Sequence, residues 1–385
     1  MDFGLTSEQQ MLVDSIRAFV DAELKPYEEE VERTNKVRPE LIQQIHAAAI
    51  KNGFYAANMP EELGGGGLDH VALTLMEREL GRTSFALQYA VARPSNILRA
   101  CQGEQIERYL LPAIRGERVE CLGLTEPNAG SDLRSMQTRA EADGDDFVIN
   151  GTKHFISYAD VADFIVLFAA SGVEETSKGS KKKITSFLVD KNTKGLDVRM
   201  GPHSVSHRGF HHCELVFNNC RVNKRQVLGE VHRGFDVANQ WLGATRLTVA
   251  AQCVGRAQRA MEMAAQWAAT RKQFGQTIGK FQGTSFKLAD MATEIEAANL
   301  LCLQTAWKTD QGTATDADYA MAKLFATEML ARVTDQTVQI FGGMGLMEEV
   351  GVERLWRDAR VERIWDGTSE IQRHIISRSV LRPLE

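Results

Sequence analysis

Apolar and polar residues follow one another along this chain in three successive textures. In the first, Met11, Val13, Ile16, Phe19 and Val20 recur near the period of a helix. Thr6-Ser7-Glu8-Gln9 precedes them and reads as a capping box, with Thr6 as the cap and Gln9 reaching back. Pro39 opens a second predicted helix, with Leu41, Ile42, Ile45 and Ala49 as its apolar face and Gly53 as its stop. Pro60-Glu61-Glu62-Leu63-Gly64-Gly65-Gly66-Gly67 reads as a loop, and helical character resumes from Val71 to Leu80.

The texture changes near Cys121. Asp143-Gly144 and Asn150-Gly151 are turn signals that bracket a strand at Phe147-Val148-Ile149. Further strands are predicted at His154–Ser157, Phe164–Ala169, Ile184–Val189 and Glu214–Phe217, with the basic run from Ser177 to Lys183 as a solvated loop. After Gly229 the pattern reverts to long helices. Ala251–Ala269 is rich in strong helix formers, and Phe286–Trp307, Asp316–Val338 and Val352–Trp365 follow across Gly-containing loops. Such lengths and short connections predict an up-down bundle. The chain therefore reads as mainly α with a β middle: a helical domain over 1–120, an antiparallel β domain over 121–230 and a helical bundle over 231–385. It shows no internal repeat and no low-complexity tract.

Composition narrows the function without choosing it. The 385 residues are 43% hydrophobic and 25% charged with a formal net charge of −6, an ordinary globular balance. Mild acidity argues against nucleic acid or an anionic membrane as the main partner. No apolar run approaches the roughly eighteen residues of a membrane span, and Met1–Leu5 has neither the basic nor the apolar region of a secretory signal. The six cysteines are scattered without metal-ligand spacing, which points to a reducing cytoplasm and small buried side chains. The histidines, including His203 and Phe210-His211-His212, form no HExxH or HxH grouping and are expected to be structural or surface residues rather than metal ligands.

Candidate chemistry centres on Asp366. It stands where a helical pattern stops, with Gly367 behind it and the capping sequence Thr368-Ser369-Glu370 opening the next helix. A carboxylate at such a break can face a pocket, beside backbone N–H groups free to bind a substrate oxygen. Four other segments accompany it. Leu122-Gly123-Leu124-Thr125-Glu126-Pro127-Asn128-Ala129-Gly130-Ser131-Asp132 offers small residues and hydroxyls to a planar ligand. Asn150–Ser157 puts Phe155 two residues before the Ser157 hydroxyl on a strand. Arg271-Lys272-Gln273-Phe274-Gly275, with Phe281-Gln282, ends a long helix, and Gln339-Ile340-Phe341-Gly342-Gly343-Met344-Gly345 is a helix end followed by Gly-rich backbone suited to phosphate approach.

Together, in this order and at these separations, the segments resemble the acyl-CoA dehydrogenase family along essentially the whole chain, with Asp366-Gly367-Thr368 as the catalytic segment. Pro60–Gly67, Arg208-Gly209 and Arg357-Asp358-Ala359-Arg360 also match family positions. The resemblance implies a helical N-terminal domain, a barrel-like antiparallel β middle domain and a C-terminal four-helix bundle, with one FAD per subunit in a homotetramer. Leu122, Leu124, Thr125, Gly130 and Ser131 are the implied flavin contacts of the first segment, and Ser131 also meets the phosphopantetheine side of the substrate. Phe155 is implied near the isoalloxazine ring and Ser157 near flavin N5, where the family often has Thr. Arg271, Phe274, Gln282, Gln339, Gly342 and Gly343 are implied to reach the adenine-diphosphate half of a neighbouring subunit's FAD. Thr368 and Glu370 are implied to bind FAD beside Asp366, while Arg246 and Gly367 meet the thioester. An electron-transferring flavoprotein is the implied electron acceptor.

One departure bears on substrate. Most family members carry Glu where this chain has Asp366, and the alternative base position just before Arg246 is Thr245. Shortening the base by one methylene withdraws its carboxylate by up to roughly 1.5 Å, a misplacement that costs on the order of 100-fold with a substrate that does not compensate. The expectation is an α-branched or alicyclic acyl-CoA, as in family members that desaturate cyclohexane-type thioesters. A conjugated diene needs a second base, and Tyr89–Asn96, near the expected substrate end, offers no acid. Two rivals share the scaffold: nitroalkane oxidases, which use an Asp base, and alkylation-response members that associate with DNA.

Overall fold

The computed structural model describes residues 4–91, 94–176 and 179–384. The N-terminal part is helical. Helix α1 (Ser7–Phe19) starts at the expected capping box: the Gln9 N–H donates to Thr6 Oγ1 at 3.2 Å and the Thr6 N–H to Gln9 Oε1 at 3.0 Å. Helices α2 (Glu28–Thr34), α3 (Pro39–Lys51), α4 (His70–Leu80), α5 (Phe85–Tyr89) and α6 (Leu111–Ile114) follow. Leu41, Ile45 and Ala49 are fully buried on α3, as the periodicity requires.

The middle part contains β1 (Glu120–Gly123), β2 (Arg139–Asp143), β3 (Asp146–Ser157), β4 (Phe164–Thr176), β5 (Gly179–Asp190), β6 (Leu196–Met200), β7 (His212–Asn223) and β8 (Val227–Leu228). They form one curled eight-stranded sheet in the order β6-β7-β3-β2-β4-β5-β8, with β1 added on β4. The sheet is antiparallel as expected, except that β1 runs parallel to β4 and β2 meets β4 in parallel at one point. Strand β4 explains why Phe164–Ala169 reads as an unbroken apolar run. Phe164, Val166 and Phe168 pack toward the N-terminal helices, while Ile165, Leu167 and Ala169 pack into the sheet's own core.

The basic segment after Thr176 departs from the expected loop. Residues 177 and 178 lie outside the described residues, but Gly179–Lys183 is the first part of β5, paired with Gly172–Thr176 of β4. Solvent reaches this end of the hairpin, so its polar side chains hide the strand. Cross-strand pairs hold it instead: Glu174 stands opposite Lys181, and the Ser180 hydroxyl donates to Glu175 Oε1 at 2.6 Å.

The C-terminal part consists of α7 (Gly234–Thr270), α8 (Gln282–Asp310), α9 (Asp316–Phe341), α10 (Val352–Glu362) and α11 (Ser369–Leu381), with the two-residue strands β9 (Lys272–Gln273) and β10 (Gln276–Thr277) between α7 and α8. Helix α9 packs against α7, α8, α10 and α11, and α4 crosses α7 and α8 from the N-terminal part. At that crossing a Cβ on Gly255 would sit 1.7 Å from the Arg78 carbonyl oxygen, so only glycine permits the backbone contact. Helix α7 begins well before the expected Ala251, and α10 stops at Glu362, before the expected Trp365. The early stop of α10 frees the loop that carries the candidate base.

Candidate active site

Asp366 lies between α10 and α11 in the left-handed region, with φ of 51°, followed by Gly367 at 93°. For a residue with a Cβ this conformation costs energy and persists only where the surroundings impose it. Two buried side chains impose it here. Lys323 Nζ, from α9, donates to the carbonyl oxygens of Trp365 at 3.0 Å and Gly367 at 2.9 Å. The Gln372 amide, from α11, donates to the carbonyls of Asp366 at 3.3 Å and Gly367 at 2.9 Å. Thr368 caps α11 by accepting the Ile371 N–H at 3.3 Å. The N–H groups of Asp366 and Gly367 donate to no acceptor among the described residues.

The Asp366 carboxyl is pushed up to about 6. Burial is the main cause, and the Glu362 charge adds to it; Lys323 and Arg246 pull the other way. The residue as a whole is half-buried, while burial of its carboxyl leaves that group desolvated. Arg246, on α7, is itself buried, and its Nε has no partner among the described residues.

A network that the sequence did not reveal stands behind this loop. Glu362 Oε1 takes Arg256 Nη1 and, at 3.1 Å, His207 Nε2, while Glu362 Oε2 accepts the Trp365 indole N–H at 2.8 Å. Asp358 closes the group on the His207 N–H at 2.7 Å. Burial alone favours a neutral His207, but Asp358 and Glu362 overcome it and hold its pKa above the usual value. The Trp365 ring stacks on His207 at 5.0 Å and meets Phe85 at 4.9 Å. Phe85 in turn touches Phe210. An aromatic wall therefore adjoins the base.

The β side contributes the other expected flavin residues. Lys153, fully buried, donates to the Leu124 carbonyl at 3.0 Å and to Glu126 Oε1 at 2.8 Å. Glu126 also accepts the N–H groups of Gln137 at 2.5 Å and Thr138 at 2.9 Å. This buried pair anchors the loop that holds Leu122, Leu124, Thr125, Gly130 and Ser131. Leu124 is buried, Leu122 and Thr125 half-buried, and Gly130 and Ser131 exposed, with nothing within 4 Å of a Cβ built on Gly130. On β3 an irregularity between Lys153 and Ile156 turns Phe155 outward, at φ of 56° and 57% exposed. The Ser157 hydroxyl pairs with His212 Nδ1 at 2.9 Å, and burial pushes the His212 pKa down to about 4.

Arg271, Phe274, Gln282, Gln339, Gly342 and Gly343 gather at one end of the bundle, where α7 and α9 finish and α8 starts. Phe274 is 92% exposed, and a Cβ on Gly342 or Gly343 would meet nothing within 4 Å. Stacking of Trp267 on Phe341 at 4.9 Å ties the two helix ends together. Gln339 lies more than four turns along α9 from Lys323, roughly 24 Å, so this group is not in the same cluster as Asp366. Glu370 is exposed on the first turn of α11, with its carboxyl held below the usual range by its own backbone N–H and the Thr368 side chain. An exposed arginine, outward-facing aromatics and open glycine backbone are what a flat, anionic dinucleotide such as FAD needs.

The stretch from Tyr89 to Asn96, expected to lack an acid, acquires one from elsewhere. Residues 92 and 93 are outside the described residues, but Glu120, at the start of β1, accepts the Ser95 N–H at 2.5 Å. Burial pushes the Glu120 carboxyl up to about 7.

Comparison with known proteins agrees with this architecture. Residues 6–117, 121–220 and 232–381 match the N-terminal, middle and C-terminal domains described for acyl-CoA dehydrogenases. The chain is 36% identical to the 3-(aryl)acrylate reductase of Clostridium sporogenes, covering 98% of this chain and 99% of that protein. It is 35% identical to subunit CarC of the caffeyl-CoA reductase-Etf complex of Acetobacterium woodii, covering 98% and 99%. The solved butyryl-CoA dehydrogenase of Megasphaera elsdenii superposes with a TM-score of 0.90 at 34% identity, covering 99% of this chain and 100% of that one. Matched in all three parts and over its whole length, the chain belongs to the acyl-CoA dehydrogenase family, FAD-dependent oxidoreductases that act on acyl-CoA thioesters.

Proposed function

We propose that the protein interconverts a saturated acyl-CoA and its α,β-unsaturated thioester, with Asp366 as the group that takes the α-proton, and that its acyl chain is α-branched or alicyclic. The observation that carries this reading is the Asp366 loop: a desolvated carboxyl on a half-buried residue, beside two unpaired backbone N–H groups. In water a carboxylate is too weak a base for a thioester α-proton. Desolvation makes Asp366 a stronger base than the usual carboxylate. The Asp366 N–H is the donor for the thioester carbonyl, stabilising the charge that develops there as the proton leaves. Bound FAD supplies the hydride acceptor for the β-carbon. Arg246 meets the substrate's polar chain, with Ser131 and Gly367 as further contacts.

The remaining cofactor contacts follow the same logic. Leu122, Leu124, Thr125, Gly130, Ser131, Phe155, Ser157, Thr368 and Glu370 hold the flavin half, and Arg271, Phe274, Gln282, Gln339, Gly342 and Gly343 serve the adenine-diphosphate half of a neighbour's FAD in a homotetramer. The distance between the two groups along α9 supports that division. An electron-transferring flavoprotein is the partner, supported by the Etf complex of the Acetobacterium woodii relative. Six free, buried cysteines support a reducing cytoplasm.

The shortened base and the Trp365–Phe85 wall both support a ring-bearing substrate. They also favour a second reading, in which the same site runs as a reductase on a ring-conjugated thioester; one relative is named a 3-(aryl)acrylate reductase and another a subunit of a caffeyl-CoA reductase-Etf complex. A carboxyl near 6 can be used in either protonation state close to neutral pH. Anaerobic flavin bleaching with straight, branched and cyclic acyl-CoAs tests the first reading, and reoxidation of the reduced enzyme by arylacrylyl-CoA tests the second. Bleaching fastest with cyclohexanecarboxyl-CoA is expected. Equal or faster bleaching by butyryl-CoA removes the substrate assignment, and oxygen uptake with nitroethane alone removes the acyl-CoA reading altogether.

A further inference from the structure

Lys323 enters the core from the first half of α9 with 0% of its surface exposed. Taking an ammonium out of water costs several kcal/mol, normally offset by a carboxylate in contact. Lys323 has no such contact among the described residues; its hydrogen bonds go to the carbonyls of Trp365 and Gly367. Those carbonyls bracket Asp366. The Trp365 carbonyl belongs to the same peptide unit as the Asp366 N–H, one of the two unpaired donors beside the base. A cation bound to a peptide oxygen polarises that unit and makes its N–H a stronger donor.

We propose that Lys323 is a positioning residue for the reaction, fixing the peptide that enters Asp366 and the one that leaves Gly367, strengthening the donor that meets the thioester oxygen and setting a positive charge behind the base. This rests on the reading of Asp366 as the base. The charged groups that act on the Asp366 carboxyl are Lys323 from α9, Arg246 from α7 and Glu362 from α10. Lys323 itself feels Asp366, Glu362, Arg246 and the Cys253 thiol of α7. Of these, only Lys323 also holds the backbone of the loop. Arg246 sets a second cation near the carboxyl.

The FAD-loaded variants Lys323→Gln and Lys323→Met separate the tether from the charge. Gln keeps two N–H donors without the charge, and Met removes both. In both, the acid limb of kcat/KM moves upward by on the order of one pH unit, because the carboxylate loses its nearby cation. At pH 7 kcat falls about tenfold for Gln and about a hundredfold for Met, with KM changed less than about threefold, as expected when a transition-state interaction is lost. In the apoproteins, the melting-temperature gap between Lys323→Gln and a Lys323→Gln/Asp366→Asn double variant still opens near pH about 3.8, but the pH at which it levels off rises by the same amount relative to the gap between the native protein and Asp366→Asn. If Met does not fold, Gln decides. A folded, FAD-loaded Gln variant with lower thermal stability but unmoved acid limb and unmoved kcat makes Lys323 a purely structural residue and overturns the proposal. Full turnover by Asp366→Asn overturns the underlying base assignment as well. An inactive Asp366→Asn beside an unperturbed Lys323→Gln overturns the Lys323 role alone.

Discussion

Glu362 accepts the indole N–H of Trp365 at 2.8 Å, and Trp365 immediately precedes Asp366. One carboxylate thus orients the aromatic wall and also raises the pKa of the base through its charge. Glu362→Gln keeps an acceptor for the indole and removes the charge. The expected outcome is an acid limb of kcat/KM shifted downward, opposite to the shift for loss of Lys323. Stability falls by about 3 kcal/mol, because buried Arg256 loses its partner. Denaturant melts and a pH–rate profile on the same preparation check both.

Replacing Asp366 by Asn preserves size and hydrogen-bonding shape while removing the proton acceptor. The variant should retain FAD and bind acyl-CoA, yet bleach the flavin about a thousandfold more slowly, the usual scale for a positioned base. Rapid-mixing absorbance under anaerobic conditions measures this directly. Bleaching at the native rate means that another group takes the proton.

What the sequence disclosed follows the range of the interactions. The α1 capping box is complete within Thr6–Gln9, and the break at Asp366-Gly367-Thr368 is equally local, so both could be read from neighbouring residues. Phe164–Ala169 was visible because both faces of β4 are buried. The supports of the site were not visible, because each joins distant segments: Lys323 to Gly367, Glu362 to His207 and Arg256, Glu126 to Lys153, and Glu120 to Ser95. Taken singly, a Lys in a helix or a Glu before a strand reads as surface. The exposed half of the β4–β5 hairpin was hidden for a related reason, since its pairing is carried by the backbone and polar cross-strand pairs rather than by an apolar face.

The length of the base should select the substrate. Asp366→Glu advances the carboxylate by up to roughly 1.5 Å, which crowds a substituted α-carbon and suits an unbranched one. The ratio of kcat/KM for butyryl-CoA over cyclohexanecarboxyl-CoA should rise by on the order of 10- to 100-fold. An unchanged ratio means that the acyl preference is set by other residues around the acyl chain and not by the reach of the base.

The raised carboxyl of Asp366 makes the two directions of reaction distinguishable by pH. Dehydrogenation needs the ionised form, so its kcat/KM should fall about tenfold per unit below pH about 6 and level off above it. Reduction returns the proton and needs the acid form, so its rate should decline above the same pH. Stability carries the matching sign. Between about 3.8 and about 6 the folded protein holds a proton that the unfolded chain has released, so ionisation of Asp366 weakens folding as pH rises through that window. Apoprotein of Asp366→Asn should therefore melt above the native apoprotein at pH 8, with the gap closing below pH 4. Parallel melting curves across that range would contradict a desolvated carboxyl at this position, and with it the basis for its strength as a base.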